Sequence, residues 1–147
     1  MVPFQSLLRR IRHGMTLGVR VIVMDGEGRI LLVRHSYTRG WHLPGGGVDV
    51  GENSEQAAAR ELREEAGVKV TGPLQLIGVY FNARMAGRDH VVCYHAPHVE
   101  IGPRPKPNLE ILAAEFFPLE ALPEGVTPAT ARRLAEWRQQ LPPDPMW

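Results

Sequence analysis

The chain has 147 residues and a mass of 16.4 kDa, enough for one compact domain with a core of its own. Hydrophobic residues make up 44% and charged residues 22%, which excludes a disordered or fibrous protein. Seventeen basic against sixteen acidic residues leave a net charge of +1, so nothing global draws the chain to nucleic acid or to an anionic membrane, and any polyanion must be bound locally.

In chain order, "FQSLLRRIRHG" places Phe4, Leu7, Leu8 and Ile11 at helical spacing among Arg9, Arg10 and Arg12. Such a segment could lie on a membrane; the favoured reading is a short terminal helix or strand docked on the domain. No apolar run reaches the length of a transmembrane helix, and the N-terminus lacks the pattern of a signal peptide. The expected location is the cytoplasm, with no membrane partner.

"GVRVIVMD" and "RILLVRHS" are rich in Val, Ile and Leu and are joined by the turn residues "DGEG", so residues 18–36 are expected to form a strand hairpin. Three consecutive glycines in "LPGGGVDVGE" let the backbone approach a ligand without Cβ hindrance, with Gly45 and Gly46 the candidates. Asn53 and Gln56 have the spacing of a capping box, and Gly67 suits a left-handed C-terminal position, which brackets a helix over residues 54–66. "LQLIGVYFNAR" and "HVVCYHAPHV" predict a second hairpin; the single cysteine, Cys93, falls in its apolar run and reads as a buried thiol. A short strand is expected around Phe116 and Phe117. A last helix follows in "TPATARRLAEWRQQL", capped by Thr127, with Pro128 at its first position and Pro142 and Pro143 beyond its end. Few helices on a mixed or antiparallel sheet make an α/β or α+β domain spanning residues 1–147, with no repeat or linker.

The helix over 54–66 carries the chemistry. At about 100° per residue, Ala58, Ala59, Leu62 and Ala66 share one side, and Glu61, Glu64 and Glu65 fall on another within an arc of roughly 100°. Like charges three and four positions apart repel, and Glu64 and Glu65 also meet the negative end of the helix dipole. A bound cation reverses both penalties, and hard oxygen ligands select Mg²⁺ or Mn²⁺, which are commonly shared with substrate phosphates. Arg60 can hold one of these carboxylates in a single rotamer or reach a phosphate. A solvated acidic face is the competing reading of the helix alone.

The stretch from Gly46 to Val68 resembles the Nudix box. Gly46, Glu52, Arg60, Glu61, Leu62, Glu64, Glu65, Gly67 and Val68 occupy all its defined positions, and the "WHLPGG" lead-in is similar too. The resemblance is tight over the box and loose elsewhere. It implies a Nudix-type mixed β-sheet sandwiched between α-helices, and a hydrolase that cleaves the diphosphate linkage of a nucleoside diphosphate joined to another moiety, using Mg²⁺ or Mn²⁺. Carried onto this chain, Glu61, Glu64, Glu65 and the Gly45 carbonyl would bind metal, and Arg60 would orient a glutamate. Glu52, with Gly46, would support the loop or reach a metal directly.

The general base stays open between Glu61 and Glu64, with Glu110 as a later candidate and Glu115 behind it. Substrate contacts are weaker assignments: Trp41, Tyr80, Phe81 and Tyr94 could stack on a base, and Arg84, Arg88 or His90 could meet a phosphate or ribose. His42 and the other histidines lack a metal-ligand spacing, which argues against zinc. The expected partner is a small-molecule nucleoside diphosphate derivative, with no stable nucleic acid partner; exposed strand edges leave a homodimer open. Two rival readings are a nucleotide-sensing Nudix-fold domain without turnover and an isomerase of allylic diphosphates, for which Cys93 is a poor catalytic group.

Overall fold

The computed structural model describes residues 4–147. The chain runs α1 (Phe4–His13), β1 (Thr16–Ile22), β2 (Arg29–His35), β3 (Gly45–Gly47), α2 (Ser54–Ala66), β4 (Val68–Val70), β5 (Gln75–Asn82), β6 (Asp89–His95), β7 (Val99–Ile101), β8 (Ile111–Pro118) and α3 (Pro128–Gln139). The main sheet has the order β3-β1-β6-β5. β1 is its parallel-paired centre, running with β6 on one side and against β3 on the other, and β5 closes the β6 edge as an antiparallel hairpin.

Two apolar clusters lie on opposite faces of the strands. Val19, Val21, Leu31, Val92 and Tyr94 pack under Ala57, Ala58, Leu62 and Ala66 of α2. Ile22, Ile30, Leu32, Tyr80 and Cys93 pack with Leu134 of α3. Neighbouring residues of one strand therefore serve different cores, which explains the near-continuous Val, Ile and Leu runs. The layers are helix, sheet and helix, the expected mixed sheet between helices.

The expected hairpin over residues 18–36 is a corner instead. Only its tip pairs, through the Asp25 amide to the Arg29 carbonyl and the Leu31 amide to the Val23 carbonyl. Both edges of β1 are taken by β3 and β6, so β2 leaves the sheet and pairs antiparallel with β8. β8 is longer than the short strand expected, with Phe116 and Phe117 opposite Leu31 and Ile30. The glycine run is a short strand, and the pair β4–β7 was not expected at all. The second hairpin and the last helix form as read, the latter capped by Thr127. α1 forms too, but it is not docked through its described apolar side chains: Leu8 and Ile11 are 50% and 68% exposed.

Candidate active site

α2 starts and stops where its caps dictate. The Asn53 side chain accepts the Gln56 amide and the Gln56 side chain accepts the Asn53 amide, both at 2.9 Å, and Gly67 closes the helix in the left-handed conformation. This fixes the rotation of the helix against β1 and β3, and hence which carboxylate meets which strand.

Glu65 is not grouped with its neighbours on a solvated face. It is 5% exposed, at the border of the face that buries Leu62 and Ala66. Its Oε2 accepts the Gly45 amide at 3.0 Å, and its Oε1 lies 2.7 Å from His35 Nε2. Gly45 is required here: its φ is +151°, and a Cβ would run into the Val19 carbonyl. Glu61 lies over the next glycine, where a Cβ on Gly46 would sit 2.5 Å from Glu61 Oε1. Burial first, and then the charge of Glu65, raise the Glu61 carboxyl above its ordinary value against the opposing hydrogen bond from Arg60.

Arg60 ties the loop to the helix. Its Nη2 and Nε donate to Glu52 Oε1 and Oε2 at 2.6 and 3.1 Å, Nη2 also reaches the Gly47 carbonyl at 2.9 Å, and Nη1 donates to Glu61 Oε1 at 2.8 Å. Glu52 completes the turn by accepting the Asp49 amide at 2.8 Å. The Arg60 hydrogen bonds hold the Glu52 carboxyl below its usual range. Glu64 is the free member: its side chain is 54% exposed, and its one link to Arg60 is long, at 3.5 Å.

Among the described residues, no three of His, Cys, Asp and Glu are already grouped around a point that would hold a cation. The donor set still fits a hard divalent ion. It is all oxygen, and the half-buried Glu61 stands beside the buried Glu65, where partial burial and like charge disfavour its ionised form, a cost that a cation removes.

Beyond the box, Tyr37 follows β2 and stacks on His35 at 5.0 Å. Its phenol is raised by burial first and then, against Arg20, by Glu65, Glu110 and Glu61, so Glu110 and the box share one neighbourhood. Glu110 is exposed, and its carbonyl accepts the Ser36 amide at 2.8 Å. Glu115 is exposed in mid-β8, opposite Leu32. A cleft of about 520 Å³ opens beside this corner, lined by Arg34, Tyr37, Arg39 and Trp41 among others.

Trp41 is 9% exposed, with Phe117 edge-on to its ring and Arg34 over it at 5.6 Å. Tyr80 presents no face to a ligand, being fully buried with Arg133 over its ring at 4.1 Å and its hydroxyl on Glu136. Tyr94 is likewise buried, its hydroxyl 2.6 Å from Ser54 Oγ. Arg84 and Arg88 stand in the exposed β5–β6 turn, where Arg88 donates to the Gly14 carbonyl at 2.9 Å. Phe81 and His90 pack on each other at 5.4 Å, and His42 bonds the Arg39 carbonyl. Burial pushes the Cys93 thiol up to about 12, which leaves it unreactive at neutral pH.

His35 and Tyr37 were missed from the sequence. The period of two offered a signal for His35, which extends the face of Leu31 and Val33 toward α2 as a polar residue at the end of an apolar row.

Fold and site together define an α/β sandwich whose glycine strand is overlaid by a glutamate-bearing helix. The NUDIX domain model matches residues 14–138, and the chain belongs to the Nudix family. It is 41% identical over 76 residues, 52% of its length and 50% of the other, to a Bacillus subtilis protein provisionally named an 8-oxo-dGTP diphosphatase. It is 32% identical over 105 residues, 69% of its length and 62% of the other, to the ADP-ribose pyrophosphatase of Methanocaldococcus jannaschii. The chain thus spans about half to three-fifths of these relatives. The crystal structure of a MutT NUDIX hydrolase from Burkholderia pseudomallei superposes with a TM-score of 0.70 at 30% identity, covering 82% of this chain and 95% of that one.

Proposed function

We propose that the protein is a divalent-metal-dependent hydrolase that cleaves the diphosphate linkage of a nucleoside diphosphate joined to another moiety. One observation carries the reading: the half-buried Glu61 and the buried Glu65 lie against consecutive glycines of β3, close enough that the charge of Glu65 raises the Glu61 carboxyl. Relatives named for an 8-oxo-dGTP diphosphatase and an ADP-ribose pyrophosphatase support the substrate class.

In this reading Glu61, Glu64, Glu65 and the Gly45 carbonyl hold Mg²⁺ or Mn²⁺. The ion supplies charge neutralisation of the diphosphate and acidification of a water. Arg60 fixes the Glu61 rotamer and, through Glu52, the loop after β3. Glu64, the most exposed box carboxylate and the least tethered, is the first candidate to take the proton of the attacking water; Glu61 is the second. Glu110, across Tyr37 from the box, is the candidate outside it. The bond broken lies between the bridging oxygen and the attacked phosphorus, and the second phosphate leaves with that oxygen.

The test is incubation with Mg²⁺ and a panel of nucleoside triphosphates, ADP-ribose, dinucleoside polyphosphates and nucleotide sugars, with Glu64→Gln and Glu61→Gln as controls. Cleavage within a diphosphate is expected, with kcat lower by a factor of about 100 or more in each variant. Tight binding without cleavage across the panel would instead make the domain a nucleotide sensor. A larger loss in Glu110→Gln than in Glu64→Gln would move the base to Glu110.

A further inference from the structure

From Leu8 to His13 every residue of α1 is exposed. Leu8 and Ile11, 50% and 68% accessible, are three positions apart and so share one side of the helix, among Arg9, Arg10 and Arg12. The end of α1 meets the β5–β6 turn: Arg88 donates to the Gly14 carbonyl at 2.9 Å, and the Arg88 carbonyl accepts the Thr16 amide at 2.8 Å. That turn adds Arg84 and a 58% exposed Met85, and the chain leaving α1 adds a 64% exposed Met15.

The charge of this surface is one-sided. Residues 4–16 and 83–88 hold five of the 17 basic residues and none of the 16 acidic ones, so the rest of the chain is net acidic. Among the described residues, none of Arg9, Arg10, Arg12 and Arg84 is in an ion pair.

Exposed aliphatic and thioether side chains on two adjoining segments mark a docking surface. A protein partner's interface core is normally poor in charge, whereas here arginines alternate with the apolar residues. Single-stranded nucleic acid would explain the arginines, but no Phe, Tyr or Trp stands among the described side chains of this surface to stack on bases. Apolar residues framed by cations on a short helix match the boundary between anionic headgroups and acyl chains.

We propose that this face docks on the surface of an anionic lipid bilayer. α1 lies in the headgroup plane, Leu8 and Ile11 enter the acyl boundary, and Arg9, Arg10, Arg12 and Arg84 meet lipid phosphates. The attachment is peripheral, since no helix among the described residues is long and apolar enough to cross a membrane. The net charge of +1 does not oppose it, because the arginines are concentrated within one face and fields act locally within a Debye length.

The experiment is co-sedimentation of the full chain with vesicles of phosphatidylcholine alone and with vesicles of equal parts phosphatidylcholine and phosphatidylglycerol. About tenfold more protein or better is expected with the anionic vesicles, declining as salt is added. The pair Leu8→Glu and Ile11→Glu abolishes the binding, and so does the triple change of Arg9, Arg10 and Arg12 to Gln, while both proteins keep the wild-type melting temperature and diphosphate hydrolysis. If the first variant melts early, the triple arginine variant decides. No sedimentation with either vesicle, equal sedimentation with both, or full binding by the triple arginine variant would overturn the proposal. Retention of a single-stranded RNA oligonucleotide without any vesicle binding would also overturn it and assign the face to nucleic acid.

Discussion

His35 Nε2 lies 2.7 Å from Glu65 Oε1, and both side chains are buried, at the point where β2 passes α2. The other Glu65 oxygen takes the Gly45 amide, so the carboxylate is held at both ends, by a strand side chain and a strand backbone. A group that orients a metal ligand is worth about 10–100-fold in metal affinity. His35→Ala is therefore expected to weaken Mn²⁺ binding by about that factor, and His35→Gln, which keeps a donor, to recover part of it. Titration of Mn²⁺ into each variant checks this. A lowered melting temperature with unchanged Mn²⁺ affinity would make His35 a structural residue only.

Gly45 and Gly46 are neighbours with different reasons for being glycine, and alanine separates them. At Gly45 a Cβ meets the Val19 carbonyl, and φ is +151°, so Gly45→Ala is expected to cost about 2–3 kcal/mol or more of stability. At Gly46 the obstacle is the movable end of Glu61, 2.5 Å from the new Cβ. Gly46→Ala should stay within about 1 kcal/mol of wild type yet lose at least about tenfold in kcat, because the displaced carboxylate is the one assigned to the metal. Urea denaturation and steady-state kinetics on the two variants give the contrast; equal losses of stability would refute it.

The Nudix box was legible because its constraints are local: Asn53 and Gln56 cap α2, Gly67 ends it, and the glutamate spacing follows from helical periodicity. Periodicity could not say how far round the helix the core extends. Glu65 therefore read as one of three carboxylates converging from a single face of the helix, whereas it is turned into the core and bonded to His35, thirty positions earlier in the chain. The corner between β1 and β2 was illegible for a related reason. Residues 18–36 have the composition of a hairpin, and only the long-range claims of β3 and β6 on both edges of β1 turn β2 away. Tyr80 stayed a weak substrate candidate because a strand tyrosine can face a cleft or a core, and the decision for the core lies with Arg133 and Glu136 on α3.

Arg60 spans more partners than a lysine can. Its planar fork reaches both Glu52 oxygens, Glu61 and the Gly47 carbonyl from a side chain only 23% exposed. Arg60→Lys keeps the charge but has one nitrogen to share among them. Both Arg60→Lys and Arg60→Ala are expected to lose about 1–3 kcal/mol of stability and to lower kcat, with lysine recovering less than half of the alanine loss. Chemical denaturation measures the first and Mg²⁺-supported turnover the second. A lysine variant equal to wild type in both would show that charge alone, rather than the fork, is what the loop needs.

If Glu61 holds metal as proposed, it gives a pH dependence whose sign is expected to reverse when the ion binds. In the metal-free protein, burial and then Glu65 raise its carboxyl above the ordinary value of 4.5. A carboxyl raised on folding contributes stability that is complete below its unfolded pKa and is lost as pH rises through the folded value. Above that window the wild type keeps a half-buried charge at a cost, and Glu61→Gln does not. The variant should therefore melt a few degrees higher than wild type at neutral pH without metal, and this advantage should vanish as pH falls below 4.5. Saturating Mg²⁺ should invert the order, because a cation stabilises the ionised carboxylate that Gln cannot supply. Thermal melts of both proteins across pH, with Mg²⁺ and with a chelator, test it. A wild type more stable than Glu61→Gln in the chelator at neutral pH would show that the Arg60 hydrogen bond outweighs the burial of Glu61.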